Sequence, residues 1–111
     1  MKFKVELSEK ADYDLRDIFL YIAIDLCSPE NAEKQLNRLW KEIKSLDELP
    51  ERYRPYDEEP WLSRGLRIFP VDNYNVLYIV DTDKKIVHIV RVIYSGRDIN
   101  QQLHKWLDGE Q

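Results

Sequence analysis

Three arginines in the second half of the chain are the residues whose type and placement best suit binding or chemistry. Arg67 and Arg91 fall within stretches rich in Val, Ile, Phe and Tyr, and Arg97 directly follows Gly96. An arginine inside an apolar strand needs a partner or a position at the rim, because an unpaired buried guanidinium is costly. Gly96 permits a sharp exit from the preceding strand, which leaves Arg97 on a loop. We therefore consider the three guanidinium groups as candidates for one cationic cluster at an end or face of a sheet.

The distribution of charge restricts what such a cluster can bind. The net charge of the chain is −4. Residues 1–60 hold ten Lys and Arg against fifteen Asp and Glu, whereas residues 61–111 hold seven against six. Proteins that bind nucleic acid through its phosphates usually have a strong basic excess. The chain lacks that excess, so any phosphate-binding cluster must lie in its second half.

Several other site chemistries lack the residues or the spacing that they require. The two histidines, His88 and His104, are far apart, and no Cys/His spacing suits zinc. Neither a glycine-rich phosphate loop nor a G-x-S-x-G nucleophile motif occurs. Cys27 precedes a helix start, where a thiolate is favoured, but we interpret it as a packed small apolar residue. We expect no metal and no cofactor, and we interpret the mid-strand His88 as structural.

The first half of the sequence predicts a strand over residues 3–7 followed by an antiparallel helix hairpin over residues 8–49. Ser8 is a favourable N-cap for the first helix, and Ser28 and Pro29 are favourable cap and first-turn residues for the second. The apolar stripe of the first helix is Ala11, Leu15, Ile18, Ile22 and Leu26, and that of the second is Ala32, Leu36, Leu39, Trp40, Ile43, Leu46 and Leu49. Five charged residues off the first stripe are predicted to be solvated: Asp12, Asp14, Arg16, Asp17 and Asp25. So short a connection requires the two helices to be antiparallel.

The second half predicts a β-meander over residues 65–94. Its strands are Leu66–Val71, Tyr74–Val80 and Ile86–Tyr94, which are rich in residues that pack on pleated surfaces. Tyr74 and Tyr94 are interpreted as core aromatics with bonded hydroxyls. Pro70 cannot donate to a sheet ladder and therefore marks a strand end or edge. The nearly continuous apolar character indicates central strands that the helix hairpin covers on one face.

A short helix over residues 99–107 completes the order β-α-α-β-β-β-α. This order predicts an α+β domain in which the helix hairpin packs on a small, mostly antiparallel twisted sheet. A length of 111 residues with 43% hydrophobic and 34% charged residues suits one globular domain, residues 1–111. No stretch suits a membrane span, the first residues lack a signal peptide's apolar core, and a single cysteine fits a reducing compartment. We expect a cytoplasmic protein without membrane association.

Two stretches carry a resemblance to a known family. One is GLRIFPVDNY, from Gly65 to Tyr74, and the other is IVRVIYSGRDI, from Ile89 to Ile99. The first half adds Asp14-Leu15, Ile18, Tyr21-Ile22, Ser28-Pro29, Ala32, Leu49-Pro50 and Arg52 in the same order. Through these residues the chain resembles the RelE/ParE superfamily, the toxins of bacterial type II toxin–antitoxin (plasmid stabilisation) systems. The resemblance covers most of the chain and implies the fold predicted above, together with a toxin that arrests growth.

The resemblance implies two alternative mechanisms. RelE-like toxins are mRNA interferases that cut messenger RNA on the ribosome by activating a ribose 2′-hydroxyl against the next phosphate. That reaction needs an acid, a base and cations, and it makes Arg97, Arg67 and His104 the candidate catalytic residues. ParE-like toxins are DNA gyrase inhibitors that bind their target without catalysis. In that mechanism Arg67, Arg91, Arg97 and Trp106 are the candidate target-binding residues, since arginine and aromatic side chains are favoured binding anchors.

We favour the ParE-like mechanism, because the chain departs from the RelE-like pattern of basic residues. The residue after Tyr74 is Asn75 where the RelE pattern has an arginine, and the strand over residues 66–71 offers only Arg67 as a cation. The acidic net charge also disfavours contact with ribosomal RNA. A third alternative, a non-toxic remnant that still binds antitoxin, stays open.

All three alternatives imply a cognate antitoxin as the partner. The antitoxin is expected to wrap the toxin and to lay a helix or a strand across the groove between helix hairpin and sheet. The amphipathic helix pair and the three tryptophans, Trp40, Trp61 and Trp106, suit such an interface. The further partner is DNA gyrase or, alternatively, the ribosome with mRNA.

Overall fold

In the computed structural model, which describes residues 2–103, two helices pack on one face of a four-stranded sheet. The elements are β1 (Lys4–Leu7), α1 (Glu9–Leu20), a π-helical turn (Tyr21–Asp25), α2 (Pro29–Lys44), 3-10 turns at Ser45–Asp47 and Pro50–Arg52, β2 (Leu66–Val71), β3 (Tyr74–Asp81) and β4 (Ile86–Tyr94). Residues 99–103 are helical. The rest of the predicted C-terminal helix, residues 104–107, lies outside the described residues.

The sheet has the order β1-β4-β3-β2. Strand β1 is parallel to β4, and the pairs β4–β3 and β3–β2 are antiparallel. Strands β3 and β4 therefore occupy the interior of the sheet, in agreement with their nearly continuous apolar sequence. The predicted α+β class with a mostly antiparallel sheet under a helix hairpin is confirmed.

Both faces of the sheet are covered. Under the helices, Leu39 and Ile43 of α2 pack in one cluster with Val76 and Ile89 of the sheet. On the opposite face, Trp61 and Leu103 pack in a second cluster with sheet residues such as Leu66, Leu77 and Ile93. The prediction accounted for the helix-covered face only. The segment between α2 and β2 and the helical residues 99–103 cover the other, which explains why the strands show little polar alternation.

The outer edge of β2 is closed to further strand pairing. The N–H of Ile68 donates to the carbonyl of Arg54 at 3.1 Å, and the carbonyl of Leu66 accepts from the N–H of Tyr56 at 2.8 Å. Further along the same edge Pro70 has no N–H to donate. The prediction that Pro70 belongs to an edge is confirmed, and pairing of a partner strand with β2 is blocked along most of its length.

The end of α2 differs from the prediction. The helix ends at Lys44 rather than near Leu49, and the apolar stripe continues only to the buried Leu46. Leu49 is 76% exposed and has a left-handed φ of 49°. The following Pro50 disfavours a continuation of the α-helix through this position. The Arg52 guanidinium donates to the carbonyls of Glu48 (2.6 Å) and Leu49 (3.2 Å) and to the hydroxyl of Ser45 (2.8 Å). These bonds hold the irregular segment that follows α2 and satisfy backbone carbonyls that have left the helix.

The starts of the two helices differ in their capping. The Ser8 hydroxyl accepts from the N–H of Ala11 at 2.9 Å, as predicted for an N-cap. Pro29 occupies the first turn of α2, also as predicted, but Ser28 makes no side-chain cap bond. Its hydroxyl instead accepts from the side-chain amide of Asn31 at 2.7 Å. The predicted N-cap position of Ser28 is therefore confirmed, but its hydroxyl does not cap a backbone N–H.

Tyr78 links the sheet to the segment that follows α2. Its ring is fully buried, and its hydroxyl donates to the carbonyl of Pro50 at 2.6 Å. Burial raises the pKa of Tyr78 from its ordinary value of 10.0 to about 12, although the nearby Arg67 and Arg52 act in the opposite direction. The folded state therefore keeps Tyr78 protonated at pH values where the unfolded chain ionises it.

We predict a loss of stability between pH 10 and pH 12 that depends on Tyr78. The contribution of the protonated Tyr78 to the free energy of unfolding is complete below pH 10 and falls by about 1.4 kcal/mol per pH unit as the pH rises towards 12. Tyr78→Phe should cost about 1 kcal/mol at pH 7, because it leaves a buried carbonyl without its donor, and should flatten the alkaline slope. Denaturant unfolding from pH 7 to 12 measures both effects. If the stability of the variant falls as steeply between pH 10 and pH 12, the alkaline loss of stability does not come from Tyr78.

Candidate functional site

An open groove lies between the tip of the helix hairpin and one end of the sheet, with a volume of about 1070 Å³. We call it the tip groove. Its helix wall consists of Leu20, Tyr21, Ile24 and Leu26, and its sheet wall consists of Asn73, Tyr74, Tyr94 and Arg97. The groove joins the reversal of the chain between α1 and α2 to the turns that follow β2 and β4.

The helix wall is formed by a change of helical pitch. After Leu20 the chain widens into the π-helical turn Tyr21–Asp25, in which the N–H of Leu26 donates to the carbonyl of Tyr21 at 3.0 Å. The wider turn breaks the 3.6-residue periodicity on which the predicted buried stripe depends. Leu26 is accordingly 55% exposed, so its predicted place in the core is wrong.

The chain then reverses through a left-handed residue. Cys27 has φ of 53°, and Ser28 is held out of the helical region because Pro29 follows it. Cys27 is exposed, and its thiol donates to the carbonyl of Ile24 at 3.4 Å. The interpretation of Cys27 as a packed core residue is therefore wrong. The reversal leaves apolar side chains of the hairpin tip facing solvent.

These apolar side chains form an exposed patch. The exposed fractions are 51% for Leu20, 53% for Tyr21, 64% for Ile24 and 51% for Tyr94. Isolated exposed apolar residues are common, but a group of them around one groove is typical of a binding surface. The sequence contained a signal for this surface, because seven of the eight residues 19–26 are hydrophobic. A helix that buries only one face needs fewer hydrophobic residues in a stretch of this length.

Two tyrosines in edge-to-face contact belong to the sheet wall. Tyr74 and Tyr94 are paired in the β3–β4 register, with ring centroids 5.9 Å apart in an edge-to-face arrangement. Tyr74 is buried as predicted, and burial raises the pKa of its hydroxyl, with smaller contributions from Tyr94, Tyr21 and Asp72. Tyr94 is half-exposed, so its interpretation as a core residue is wrong. A Cβ on Gly96 would lie 2.5 Å from Cε2 of Tyr94, so this glycine gives the ring the room it occupies.

Charged residues surround the apolar patch. Lys34 and Arg38 of α2 and Arg97 after β4 line the tip groove, together with Asp17 and Asp25. The Arg38 guanidinium donates to the Asp72 carboxylate at 2.8 Å and the side-chain amide of Gln35 donates to it at 2.9 Å. These two bonds hold the pKa of Asp72 below its usual value. Arg38 therefore ties α2 to the β2–β3 turn at the margin of the groove.

Arg97 is exposed at the end of the tip groove. Its backbone N–H donates to the carbonyl of Tyr94 at 3.0 Å, which closes the turn after β4. Within residues 2–103 the structure gives its guanidinium no side-chain hydrogen bond and no ion pair. The side chain is thus positioned by a short turn and is available to a binding partner.

Arg67 lies in a different environment. It pairs with Tyr78 in the β2–β3 register, about 13 Å along the strand from the Tyr74 end of β3. Its guanidinium donates to the carbonyls of Tyr53 at 2.8 Å and Glu51 at 3.3 Å, and it lies 3.5 Å from the Glu51 carboxylate. These contacts fix the segment before β2 against the sheet.

Arg91 forms a buried ion pair with Asp14 of α1. The Asp14 carboxylate accepts from Nε of Arg91 at 2.7 Å, from Nη2 at 3.1 Å and from the N–H of Val92 at 3.0 Å. The exposed fractions are 8% for Asp14 and 6% for Arg91. The prediction that Asp14 is solvated is therefore wrong. The expectation that Arg91 needs a partner is met by a residue 77 positions earlier in the chain.

A β-bulge in β4 positions this ion pair. The register with β3 moves from Tyr78–Ile89 to Leu77–Arg91, so Val90 is the extra residue. A bulge changes the direction of side chains along a strand and frees backbone groups from the ladder. Here the carbonyl of Val90 accepts from the Ser8 hydroxyl at 2.9 Å, and the N–H of Val92 donates to Asp14. The first turns of α1 thus bind both sides of the bulge.

The three candidate arginines consequently do not form one cluster. Arg67 binds the segment before β2, Arg91 binds α1, and Arg97 lines the tip groove. His88 is exposed on β4. The other two candidates, His104 and Trp106, lie outside the described residues. Within residues 2–103 there is no group of three or more His, Cys, Asp or Glu that suits a metal ion, and no helix there is long and apolar enough to cross a membrane.

Comparison with known proteins gives one family match. Residues 5–99 match the model of the family described as the ParE toxin of the type II toxin–antitoxin system, parDE. No curated protein sequence matches the chain at a significant level.

Solved structures of toxin–antitoxin systems have a similar fold. A chain of the chromosomal ParDE system from P. aeruginosa has a TM-score of 0.70 at 21% identity, over 84% of this chain and 96% of that chain. A chain of the toxin–antitoxin complex RelBE2 from Mycobacterium tuberculosis has a TM-score of 0.64 at 21% identity, over 85% and 92%. A mutant of the E. coli toxin RelE in the free state has a TM-score of 0.61 at 15% identity, over 86% and 85%.

Proposed function

Because the chain belongs to the ParE toxin family of type II toxin–antitoxin systems, we propose that it arrests growth by binding DNA gyrase, without itself catalysing a reaction. Arg97 is the proposed central anchor for the target. The observation that carries this proposal is the separation of the three candidate arginines, since Arg97 alone of these three has a guanidinium without a side-chain partner among the described residues.

The engagement of Arg67 disfavours the alternative of RNA cleavage. Cleavage through the 2′-hydroxyl needs an acid, a base and cations that converge on one phosphate. The guanidinium of Arg67, a cation that this alternative needs, is bonded to two backbone carbonyls. Arg91, a candidate anchor for gyrase only, is paired with Asp14. Direct contact of Arg91 with any target would first require this buried pair to open. A binding toxin needs exposed anchors instead, and arginine and tyrosine are frequent anchors in interfaces.

The alternative function, cleavage of mRNA on the ribosome, keeps one supporting observation. The fold is also similar to RelE and to a chain of the RelBE2 complex, with TM-scores only modestly below that of the ParDE chain. In this alternative Arg97, Arg67 and His104 carry the reaction.

A reconstituted translation system supplied with defined mRNA distinguishes the two functions. After addition of the purified chain, the 5′ and 3′ ends of the RNA are mapped with and without translating ribosomes. The proposed function predicts intact mRNA and undiminished translation. Cleavage within codons that appears only on translating ribosomes would establish the alternative.

The proposed partner in the cell is an antitoxin that occupies the tip groove. The groove offers exposed apolar side chains on one wall and two tyrosines on the other, and such surfaces accept the apolar face of an amphipathic helix. A helix suits the chain better than an added strand at β2, because that edge is closed by residues 54–56 and by Pro70. The RelBE2 structure from M. tuberculosis is described as a toxin–antitoxin complex, which supports an antitoxin partner for this chain.

We predict that Arg97→Ala abolishes growth arrest and leaves the fold intact. Its guanidinium has no side-chain partner among the described residues, so the change in stability should stay within about 0.5 kcal/mol. Loss of a central arginine anchor typically costs about 2 kcal/mol or more in binding. Colony counts after induction measure toxicity, with Lys84→Ala in the β3–β4 turn as the matched control. Full toxicity of Arg97→Ala would remove this residue from the proposed function.

A further inference from the structure

The turn that carries Arg97 is held by a series of contacts that begins on α2. The Arg38 guanidinium binds the carboxylate of Asp72 in the β2–β3 turn. The carbonyl of the next residue, Asn73, accepts from the N–H of Ser95. From this juxtaposition we infer that Asp72 is a positioning residue for target binding, which acts through Arg97. The inference rests on the proposed function and adds how the fold presents the target-binding arginine.

An aspartate at position 72 serves more than the local turn. Asp72 has a left-handed φ of 54°, a conformation that glycine adopts freely and that asparagine also tolerates. Its carboxylate accepts from the Arg38 guanidinium at 2.8 Å and from the Gln35 side-chain amide at 2.9 Å. Both donors belong to α2, 34 and 37 positions earlier in the chain. The charged side chain therefore fixes the β2–β3 turn to the helix, because hydrogen bonds to an ionised acceptor are the stronger ones.

The β2–β3 turn also holds the turn that follows β4. The two turns lie side by side at one end of the sheet, because Tyr74 and Tyr94 are paired in the β3–β4 register. The N–H of Ser95 donates to the carbonyl of Asn73 at 2.8 Å. The N–H of Arg97 then donates to the carbonyl of Tyr94 at 3.0 Å. A displacement of the β2–β3 turn would therefore displace the backbone that carries Arg97.

The location of Asp72 separates positioning from direct contact and from stability. Arg38 and Arg97 line the tip groove, whereas Asp72 lines a smaller pocket beside it. The pair of Asp72 and Arg38 is open to solvent, with side-chain exposures of 36% and 58%. Surface ion pairs of this kind add little to stability. The pair instead orders a loop before the target arrives, which removes part of the entropy cost of binding.

Hydrogen exchange of the free toxin tests whether Asp72 holds the Arg97 turn. Asp72→Asn keeps a residue type that tolerates the left-handed backbone and removes the charge that binds Arg38. NMR should show that the Ser95 N–H exchanges about five-fold faster in this variant, because the turn opens more often. Asp83→Asn, the same change in the exposed β3–β4 turn, is the control and should leave that rate unchanged. An unchanged rate in folded Asp72→Asn would overturn the inference.

The affinity for purified DNA gyrase, measured by surface plasmon resonance, tests whether the effect passes through Arg97. Asp72→Asn should weaken binding about five- to ten-fold, and it should have no further effect in a chain that already carries Arg97→Ala. An equal loss in both backgrounds would show that Asp72 acts independently of Arg97, which overturns the inference and leaves the proposed function standing. If the unsubstituted chain does not bind gyrase, the proposed function itself fails, and Ser95 exchange still decides whether Asp72 holds the Arg97 turn.

Discussion

Asp14→Ala is expected to destabilise the protein by about 3–5 kcal/mol, because it leaves the guanidinium of Arg91 buried without a counter-charge. The substitution also removes the acceptor of the Val92 N–H beside the bulge. Domains of this kind have a total stability of about 5–15 kcal/mol, so the variant should be partly unfolded under mild conditions. Urea unfolding followed by circular dichroism measures the change.

A double substitution separates the ion pair from general damage to the core. Asp14→Leu combined with Arg91→Met replaces both charges with apolar side chains of similar size, which is often neutral or stabilising for buried ion pairs. The double variant should regain the stability that Asp14→Ala loses through the unpaired guanidinium, but not the part that is due to the Val92 N–H. Asp12→Ala, two residues earlier on α1 and paired through its carboxylate with the exposed Arg16, is the surface control and should change stability by less than about 1 kcal/mol. A loss below about 1 kcal/mol for Asp14→Ala would contradict the structural role of the pair.

Ile24→Asp is expected to weaken antitoxin binding about 100-fold or more while it leaves the free toxin folded. Ile24 is 64% exposed at the centre of the helix wall, so the stability of the free protein should change by no more than about 0.5 kcal/mol. In the complex the same position is proposed to be desolvated against an apolar helix, where an unpaired carboxylate is costly. A 100-fold loss corresponds to about 2.7 kcal/mol of binding free energy.

Leu49→Asp is the matched control for this experiment. Leu49 is 76% exposed and apolar, and it lies beyond the end of α2, outside the tip groove. Calorimetric titration of both variants with antitoxin should show wild-type affinity for Leu49→Asp. Equal affinities of the two variants would place the antitoxin elsewhere on the toxin.

The sequence predicted the elements whose local signals agree with their tertiary environment. Strand β4 has the predicted bounds, Ile86–Tyr94, because its apolar run ends at polar turns on both sides. The N-cap at Ser8 was also predictable, because the capping bond is local. The stripe of α2 was predictable up to Leu46 for the same reason, since its helical spacing and its burial agree.

The features that escaped prediction depend on contacts between distant parts of the chain. Helical periodicity placed Asp14 in solvent, and only the packing of α1 on β4 brings it to Arg91. The environment of Arg67 was unpredictable for the same reason, since its partners are backbone carbonyls of an irregular segment. No side-chain pattern encodes such acceptors.

The tip groove was partly predictable. A groove between hairpin and sheet was expected, and Arg97 was expected on a loop at the end of the sheet, without a link between the two. The π-helical turn was not, because a single inserted residue per turn leaves no periodic signal over five residues. That turn determines which apolar residues are exposed, so the residues of the helix wall could be identified only from the structure.

Direct assay with purified DNA gyrase is the measurement that tests the central claim. Gyrase, supercoiled DNA and ATP are incubated with the chain, and DNA breaks trapped on the enzyme are counted after denaturation. We predict that breaks accumulate with increasing toxin, that Arg97→Ala abolishes them and that the antitoxin prevents them. Unchanged gyrase activity without trapped breaks, at toxin concentrations that arrest growth in cells, would contradict gyrase as the target.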